Sequence, residues 1–132
     1  MKARGMTIAA EKIFENNIKK WLHSVGIYPA GYPDHKKTVP AVGWYVKIWG
    51  GGYQKSGIAD LLLNVNGYFV AAELKAPNGT PSELQLKNIR DINATRGFGF
   101  ALYPSAFESF KRFIIDLTAD TYNRDEIPEI WK

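Results

Sequence analysis

The stretch Asp60-Leu61-Leu62-Leu63-Asn64-Val65-Asn66-Gly67-Tyr68-Phe69-Val70-Ala71-Ala72-Glu73-Leu74-Lys75 decides the fold of this chain. Two apolar runs flank Asn66-Gly67, a dipeptide that tolerates the positive φ angles of a two-residue type I′ turn. Residues 60–65 and 68–73 are therefore expected to pair as an antiparallel hairpin. With Asn66 and Gly67 as the only loop residues, Val65 faces Tyr68.

Two acidic residues of this hairpin are expected to meet. In the register set by the turn, Asp60 lies opposite Glu73, at about 5 Å between Cβ atoms. Like charges in this position are unfavourable unless a cation neutralises them, and two carboxylates suit Mg²⁺ or Mn²⁺. Because side chains alternate along a strand, Lys75 shares the face of Glu73, and the Leu74 carbonyl is a further candidate ligand. A solvated cross-strand ion pair would give the same Glu-x-Lys pattern.

These residues resemble the motif of a known nuclease superfamily. Gly57-Ile58-Ala59-Asp60, then Glu73-Leu74-Lys75, then Gln85 are similar to the PD-(D/E)xK nuclease superfamily, and most closely to its small stand-alone VRR-NUC domains from phages and prophages. The resemblance covers residues 7–117. The family usually has Gly-x-Pro-Asp, and here Ala59 stands at the proline position, which contributes no ligand.

The resemblance implies a fold and roles for the motif residues. The implied fold is α/β, a restriction-endonuclease-like α-β-β-β-α-β core in which helices flank a central mixed sheet. Metal would be bound by Asp60, Glu73 and the Leu74 carbonyl, and Lys75 would orient or polarise the attacking water. Gln85 would touch this lysine or the scissile phosphate, although a helical glutamine is ordinarily a surface residue.

An acidic residue on the first helix commonly completes such a site in the family. Glu11 and Glu15 are the candidates, and their spacing of four places them on one helix face. The family spacing of acid, apolar residues and glycine fits Glu11 better, so Glu15 is the alternate ligand. Either glutamate could instead complement the helix macrodipole.

Basic and polar residues near the motif are candidate nucleic-acid contacts: Lys47, Lys55, Ser56, Lys87 and Arg90. The formal net charge of +4 is compatible with a polyanionic partner, although the excess is modest. The predicted function is that of a Mg²⁺- or Mn²⁺-dependent endonuclease that hydrolyses phosphodiester bonds in DNA, with RNA also allowed. A homodimer acting on branched or junction DNA is expected, because a small chain has little surface for a duplex. The alternative is a non-catalytic nucleic-acid-binding or protein-interaction domain on the same fold.

Composition indicates one domain. At 132 residues and 45% hydrophobic, residues 1–132 are expected to form a single globular unit with a core over about 7–117 and a tail over 118–132. The tail is polar and acidic, and is expected to dock loosely or extend to a partner subunit. There is no cysteine, and no apolar segment is predicted to be a signal peptide or to span a bilayer. A cytoplasmic location is expected, and the resemblance adds a phage or prophage context.

Further helices and strands are predicted around the hairpin. A first helix over 7–25 has Thr7 as N-cap and apolar residues at helical spacing, namely Ile8, Phe14, Ile18, Leu22 and Val25. Residues 26–42 read as loop, and residues 44–49 alternate as a strand that packs one face on the core while the other carries Lys47.

The second half of the chain continues this alternation. Thr80 is the predicted N-cap of a helix that runs to about Thr95 with Leu84, Ile89 and Ile92 facing inward. Residues 98–102 form a short apolar strand. Ser105 caps a last helix whose aromatic stripe belongs to the core.

Overall fold

The structure, a computed structural model, describes residues 2–48 and 57–132. In this part of the chain, helices flank a central six-stranded sheet. The α-helices are α1 (Lys2–Ser24), α2 (Glu83–Ala94) and α3 (Phe107–Ala119). The strands are β1 (Ile27–Pro29), β2 (Gly43–Lys47), β3 (Leu61–Val65), β4 (Tyr68–Leu74), β5 (Phe98–Leu102) and β6 (Ile130–Trp131).

The sheet is mixed, and its strands lie side by side in chain order from β1 to β6. β2, β3 and β4 form an antiparallel meander, whereas β1 pairs with β2, β5 with β4, and β6 with β5 in parallel. A two-residue turn joins β3 to β4, and α2 makes the crossover from β4 to β5. The predicted α/β class with a mixed sheet between helices is confirmed.

The hairpin forms in the predicted register. Val65 pairs with Tyr68, and the ladder runs on to the pair of Leu61 and Ala72. Asn66 has a φ of 52° and Gly67 a φ of 88°, as a two-residue turn of this kind requires. Continuing the ladder by one pair places Asp60, just before β3, opposite Glu73 of β4.

The main core lies on one face of the sheet, beneath α1 and α3. Its side chains alternate along β3, β4 and β5 and meet the predicted aromatic stripe of α3, so that prediction is confirmed. The largest buried members are Phe98, Phe100, Phe110, Ile18, Leu22, Ile27, Leu61, Leu63, Leu102, Ile114, Leu117 and Val65. A smaller cluster of Ile89, Ala101 and Tyr103 packs beneath α2 on the opposite face.

The first helix is longer than predicted. It already includes Lys2, so Thr7 is not its N-cap. Residues 2–7 contain no proline that would end the helix near the predicted start. Ile8 was expected in the core but is 58% exposed, because it lies a turn and a half before the buried stripe that begins at Phe14.

A short strand, β1, lies within the predicted loop over 26–42. Gly26, with a φ of 87°, turns the chain out of α1, and its carbonyl accepts hydrogen bonds from the backbone of Val42 and Gly43. These bonds bring β1 alongside β2. Pro29 is tolerated because β1 is an edge strand.

Helix α2 starts later than predicted. Its N-cap is Ser82 and not Thr80, since Ser82 Oγ accepts from the Gln85 backbone N–H while Gln85 Oε1 accepts from the Ser82 backbone N–H. This reciprocal capping box satisfies two N–H groups at once, which a threonine two residues earlier cannot do. Leu84 was expected to face inward but is 42% exposed, whereas Ile89 is buried as predicted.

The end of the chain is more ordered than the sequence indicated. A 3₁₀ turn over Pro104–Ala106 precedes α3, so Ser105 is not a helix cap. The expected loose tail includes β6, and its Trp131 packs edge-on against Phe100 with ring centroids 5.3 Å apart. No helix within residues 2–48 and 57–132 is long and apolar enough to cross a membrane.

Candidate metal centre

The predicted motif lies at one end of the central strands, where β2 and β4 end and β3 begins. The segment leading into β3 is held by α2, because Asn88 Nδ2 donates a 2.9 Å hydrogen bond to the Gly57 carbonyl. Gly57 has a φ of 82°, and a Cβ there would lie 2.6 Å from Leu84 Cγ. Only glycine fits this close approach without displacement, and it directs the following residues towards this end of the strands.

Asp60 is attached to both neighbouring strands. Its Oδ2 accepts a 2.7 Å hydrogen bond from the Leu74 backbone N–H, and its carbonyl accepts one of 2.8 Å from Ile48. The carboxylate is therefore positioned by backbone donors and not by the flexible side chains of the surface. The predicted role of the Leu74 carbonyl as a ligand stays a prediction, and Leu74 is one of the residues that line the adjoining cavity.

Glu73 faces Asp60, as the register of the hairpin predicted. It is only 4% exposed, and its Oε1 has no hydrogen-bond partner among the described residues. Burial, together with the charge of Asp60 nearby, raises the pKa of Glu73 to about 8. The charge of Asp60 therefore adds to burial in favouring the protonated form of Glu73.

Lys75 lies beside Glu73. Its Nζ lies 3.6 Å from Glu73 Oε2, and its side chain is 13% exposed. Its methylene chain runs beside Gly79. A Cβ added to that glycine would lie 3.4 Å from Lys75 Cδ. Glu73 is buried and Lys75 is largely covered, so the solvated ion pair considered from the sequence is wrong.

Lys47 lies on the other side of Asp60. It shares the sheet face of Tyr45, which is only 2% exposed, so the expectation that β2 carries Lys47 on the face opposite the core is wrong. Two carboxylates compensate its burial: Nζ is 3.0 Å from Glu15 Oε1 and 3.6 Å from Asp60 Oδ1. Its predicted contact with nucleic acid stays a prediction.

Glu11 and Glu15 of α1 both adjoin the site, but their pKa values are shifted in opposite directions. Burial and the neighbouring Asp60 raise the pKa of Glu11, while Lys75 and Lys47 act in the opposite direction. Glu15 is more deeply placed; burial would raise its pKa, but hydrogen bonds and ion pairs with Lys19 and Lys47 lower it to about 2. Glu11 is therefore the more available of the two for binding a cation, whereas Glu15 is ionised and paired with lysines.

A cavity of about 250 Å³ opens beside these groups. It lies between the first half of α1 and the ends of β2 and β4. Charged residues of α1, together with Lys47 and Asp60, line it, whereas Glu73 and Lys75 do not. Its lining residues are Ile8, Glu11, Lys12, Glu15, Lys47, Ile48, Asp60 and Leu74. Ile8, which is 58% exposed, is one of these lining residues.

The donor set can be compared with what Mg²⁺ requires. Among residues 2–48 and 57–132, no three or more His, Cys, Asp or Glu side chains are close enough to form a ready-made metal cluster. Mg²⁺ is, however, commonly held by one or two carboxylates and completed by water. The unsatisfied Oε1 of Glu73 beside Asp60 fits that kind of site, because a buried carboxylate oxygen without a donor is costly.

The remaining predicted residues lie on α2 or outside the described residues. Gln85 exchanges two hydrogen bonds with Ser82 and so caps helix α2. Its predicted contact with Lys75 stays a prediction. Lys87 is exposed and pairs with Asp91 at 2.8 Å, and Arg90 is exposed on the same helix. The predictions for Lys55 and Ser56 fall on residues that lie outside the described ranges.

Several supporting residues were not predicted. Asn88, which holds Gly57, carries no sequence signal beyond its place on α2. Lys12 and Lys19 flank Glu15 at three and four residues, a spacing that indicates a helix ion pair but not its burial. The position of Lys47 beside Glu15 depends on packing between α1 and β2, which the sequence pattern does not report.

Comparisons of the chain with protein-family models, with curated proteins and with solved structures found no match. The site geometry and the sequence motif are therefore the basis on which a function is assigned.

Proposed function

We propose that this protein is a divalent-metal-dependent nuclease. One observation carries the proposal: the buried Oε1 of Glu73 has no partner among the described residues, although it faces Asp60 and adjoins Lys75. An acidic pair with an unsatisfied oxygen and an ammonium group alongside has the composition of a hydrolytic metal site. Buried ionisable groups with strongly displaced pKa values, placed beside a cavity, are candidates for catalysis.

The acidic pair has two ways to become stable. It can keep a proton, which the raised pKa of Glu73 favours. Alternatively it can bind a divalent cation, which replaces that proton. When bound, Mg²⁺ or Mn²⁺ supplies a water of lowered pKa and neutralises negative charge on a phosphoryl oxygen.

The residues of the chain would divide the work as follows. Asp60 and Glu73 hold the cation, with the Leu74 carbonyl and Glu11 as further donors. Lys75 positions the attacking water and stabilises the negative charge that develops on the phosphate. Its fixed place beside Glu73, at 3.6 Å, means that little reorganisation is needed when the substrate arrives.

The order of elements supports this proposal. Leaving out the two edge strands, the helices and strands follow one another as α1, β2, β3, β4, α2 and β5. That is the α-β-β-β-α-β order of the restriction-endonuclease-like core. We therefore propose this topology, and membership of the VRR-NUC group of the PD-(D/E)xK superfamily, with β1 and β6 as additions to the core.

The proposed substrate is DNA, and RNA is tested beside it. The net charge of +4 favours a polyanion, and Lys87 and Arg90 are exposed on α2 for backbone contacts. We propose a homodimer because one chain of this size covers only a small part of a duplex. By the same resemblance we propose action on branched or junction DNA, in a phage or prophage context in the host cytoplasm.

Cleavage of labelled nucleic acids tests the proposal. Linear, nicked, flapped and four-way DNA, and a matched RNA, are incubated with Mg²⁺, with Mn²⁺ and with EDTA. We expect cleavage of at least one DNA in metal and none in EDTA. Asp60→Asn, Glu73→Gln and Lys75→Ala should each lower the rate by about 10²–10³-fold, as removal of one such electrostatic contact does.

A matched control separates the site from general damage. Glu108→Gln removes an exposed ion-paired glutamate of α3, where Lys111 lies at 3.0 Å, and should cleave as the wild type does. Wild-type rates in Glu73→Gln would reject the proposal.

The alternative is a binding domain without catalysis. Its support is the ion pair between Lys47 and Asp60, which neutralises part of the acidic pair without a metal. That function predicts DNA binding that is unchanged by EDTA, with no cleavage of any substrate in the panel.

A further inference from the structure

A buried glutamate of α1 adjoins the proposed centre through a lysine. The side chain of Glu15 is 8% exposed, and three ammonium groups surround it: Lys19 at 2.6 Å, Lys47 at 3.0 Å and Lys12 at 3.3 Å. Lys12 and Lys19 contact Oε2, and Lys47 contacts Oε1, so both oxygens are engaged. A carboxylate in this state is a poor metal ligand, because a cation would have to displace ammonium groups already bound to it.

Lys47 is shared unequally between two carboxylates. Its Nζ is 3.0 Å from Glu15 Oε1 and 3.6 Å from Asp60 Oδ1, and its side chain is 18% exposed. Coulomb attraction weakens with distance, so Glu15 is the stronger partner. The ammonium therefore lies beside Asp60 without being fully paired to it.

This arrangement has a consequence for any cation bound by Asp60. An ammonium and a divalent cation compete for the same carboxylate, and they repel each other. If the nearer anion were removed, the attraction of Asp60 for Lys47 would no longer be opposed by that of Glu15. Asp60 would then be less available to a metal.

We propose that Glu15 is a positioning residue that sets the metal affinity of the acidic pair by holding Lys47 away from Asp60. The inference rests on the proposed function, because it concerns the same centre. It also gives the two first-helix glutamates different tasks, with Glu11 close to the cation and Glu15 acting only through a lysine.

Calorimetric titration with Mn²⁺ alone, without DNA, tests this inference. Glu15→Gln should weaken Mn²⁺ binding by about 10–100-fold, the usual effect of losing a residue that supports a metal ligand. Lys47→Met should strengthen it, because the competing ammonium is gone. In the Lys47→Met background, Glu15→Gln should have little further effect, since the glutamate acts through that lysine.

A merely structural role for Glu15 gives another pattern. Damage to the fold would weaken Mn²⁺ binding equally with and without Lys47, and that result would overturn the inference. Unchanged or weaker binding in Lys47→Met would overturn it as well, even if Glu15→Gln did not fold. Glu108→Gln, which removes an ion-paired glutamate of α3, should bind Mn²⁺ as the wild type does.

The same titrations distinguish this inference from the proposed function. If the wild type binds no Mn²⁺, the metal centre is absent and both proposals are rejected. If the wild type binds Mn²⁺ and Glu73→Gln does not, but Glu15 and Lys47 act independently, only the positioning role is rejected.

Discussion

The backbone N–H of Leu74 donates a 2.7 Å hydrogen bond to Oδ2 of Asp60. The candidate ligand of one strand is thus held by the backbone of the next. Asp60 therefore has two roles that a substitution can separate. An asparagine oxygen can still accept this hydrogen bond, but it lacks the negative charge that the proposed metal ligand needs.

Asp60→Asn should keep the fold and lose the effect of metal. The asparagine oxygen can still accept from Leu74, and the like charge opposite Glu73 disappears. We expect a thermal midpoint in EDTA equal to or above that of the wild type, without the increase that Mn²⁺ gives the wild type. Asp60→Ala leaves a buried N–H unsatisfied and should cost about 1–3 kcal/mol of unfolding free energy in EDTA. Equal stability of the two variants in EDTA would contradict this account of the hydrogen bond.

Gly57→Ala should destabilise the entry to β3. The residue has a φ of 82°, and the added Cβ would lie 2.6 Å from Leu84 Cγ. Gly31→Ala is the matched control, because Gly31 has a φ of 78° but no atom within 4 Å of the added Cβ. We expect a loss of about 1–2 kcal/mol for Gly31→Ala from backbone strain alone. Gly57→Ala should lose about 1–3 kcal/mol more, measured by urea denaturation, because of the clash.

Trp131→Ala tests whether the end of the chain belongs to the core. The indole packs edge-on against Phe100 at 5.3 Å and lies 5.7 Å from Phe113 between ring centroids. We expect a loss of about 2 kcal/mol of unfolding free energy, from burial and aromatic contacts together. Trp44→Ala, at a residue that is 50% exposed, should lose clearly less. Equal losses would indicate that β6 does not contribute to stability.

His23 should make stability depend on pH. It shares a 2.8 Å hydrogen bond with the Tyr45 hydroxyl, and the rings of Tyr28 and Tyr32 pack on it. Burial, and then the charge of Lys19, lower the pKa of His23 below its ordinary 6.5.

The sign of the effect follows from this shift. Below about pH 6.5 the unfolded chain binds a proton that the folded protein resists, so stability is lost as pH falls. Between pH 5 and pH 7.5 the raised pKa of Glu73 acts in the opposite direction. The effect of His23 is therefore measured as the difference in urea midpoint between the wild type and His23→Gln, and this difference should shift against the wild type as pH falls. Identical slopes would show that another group is responsible.

Local signals explain what the sequence predicted well. Asn66-Gly67 determines a turn and a register by itself, so the meeting of Asp60 with Glu73 followed from counting residues. The aromatic stripe of α3 was equally predictable, because a helix repeats every 3.6 residues and only one face can be buried. Neither inference needed contacts between distant parts of the chain.

The features that were missed depend on tertiary packing. Glu15 reads as a helix-surface residue paired with Lys12 and Lys19, and only tertiary packing adds Lys47 of β2 as a third cation beside the buried carboxylate. The edge strands β1 and β6 contain three and two residues, too few to show a period. Their backbone groups pair because a neighbouring strand is already in place.

Calorimetric titration of the wild type and Glu73→Gln with Mn²⁺ tests the central claim most directly. The unpartnered Oε1 of Glu73 predicts saturable binding in the wild type. Glu73→Gln removes the anionic oxygen while keeping the size of the side chain, and binding should disappear. Equal Mn²⁺ binding by both proteins, or none by either, would contradict the metal centre.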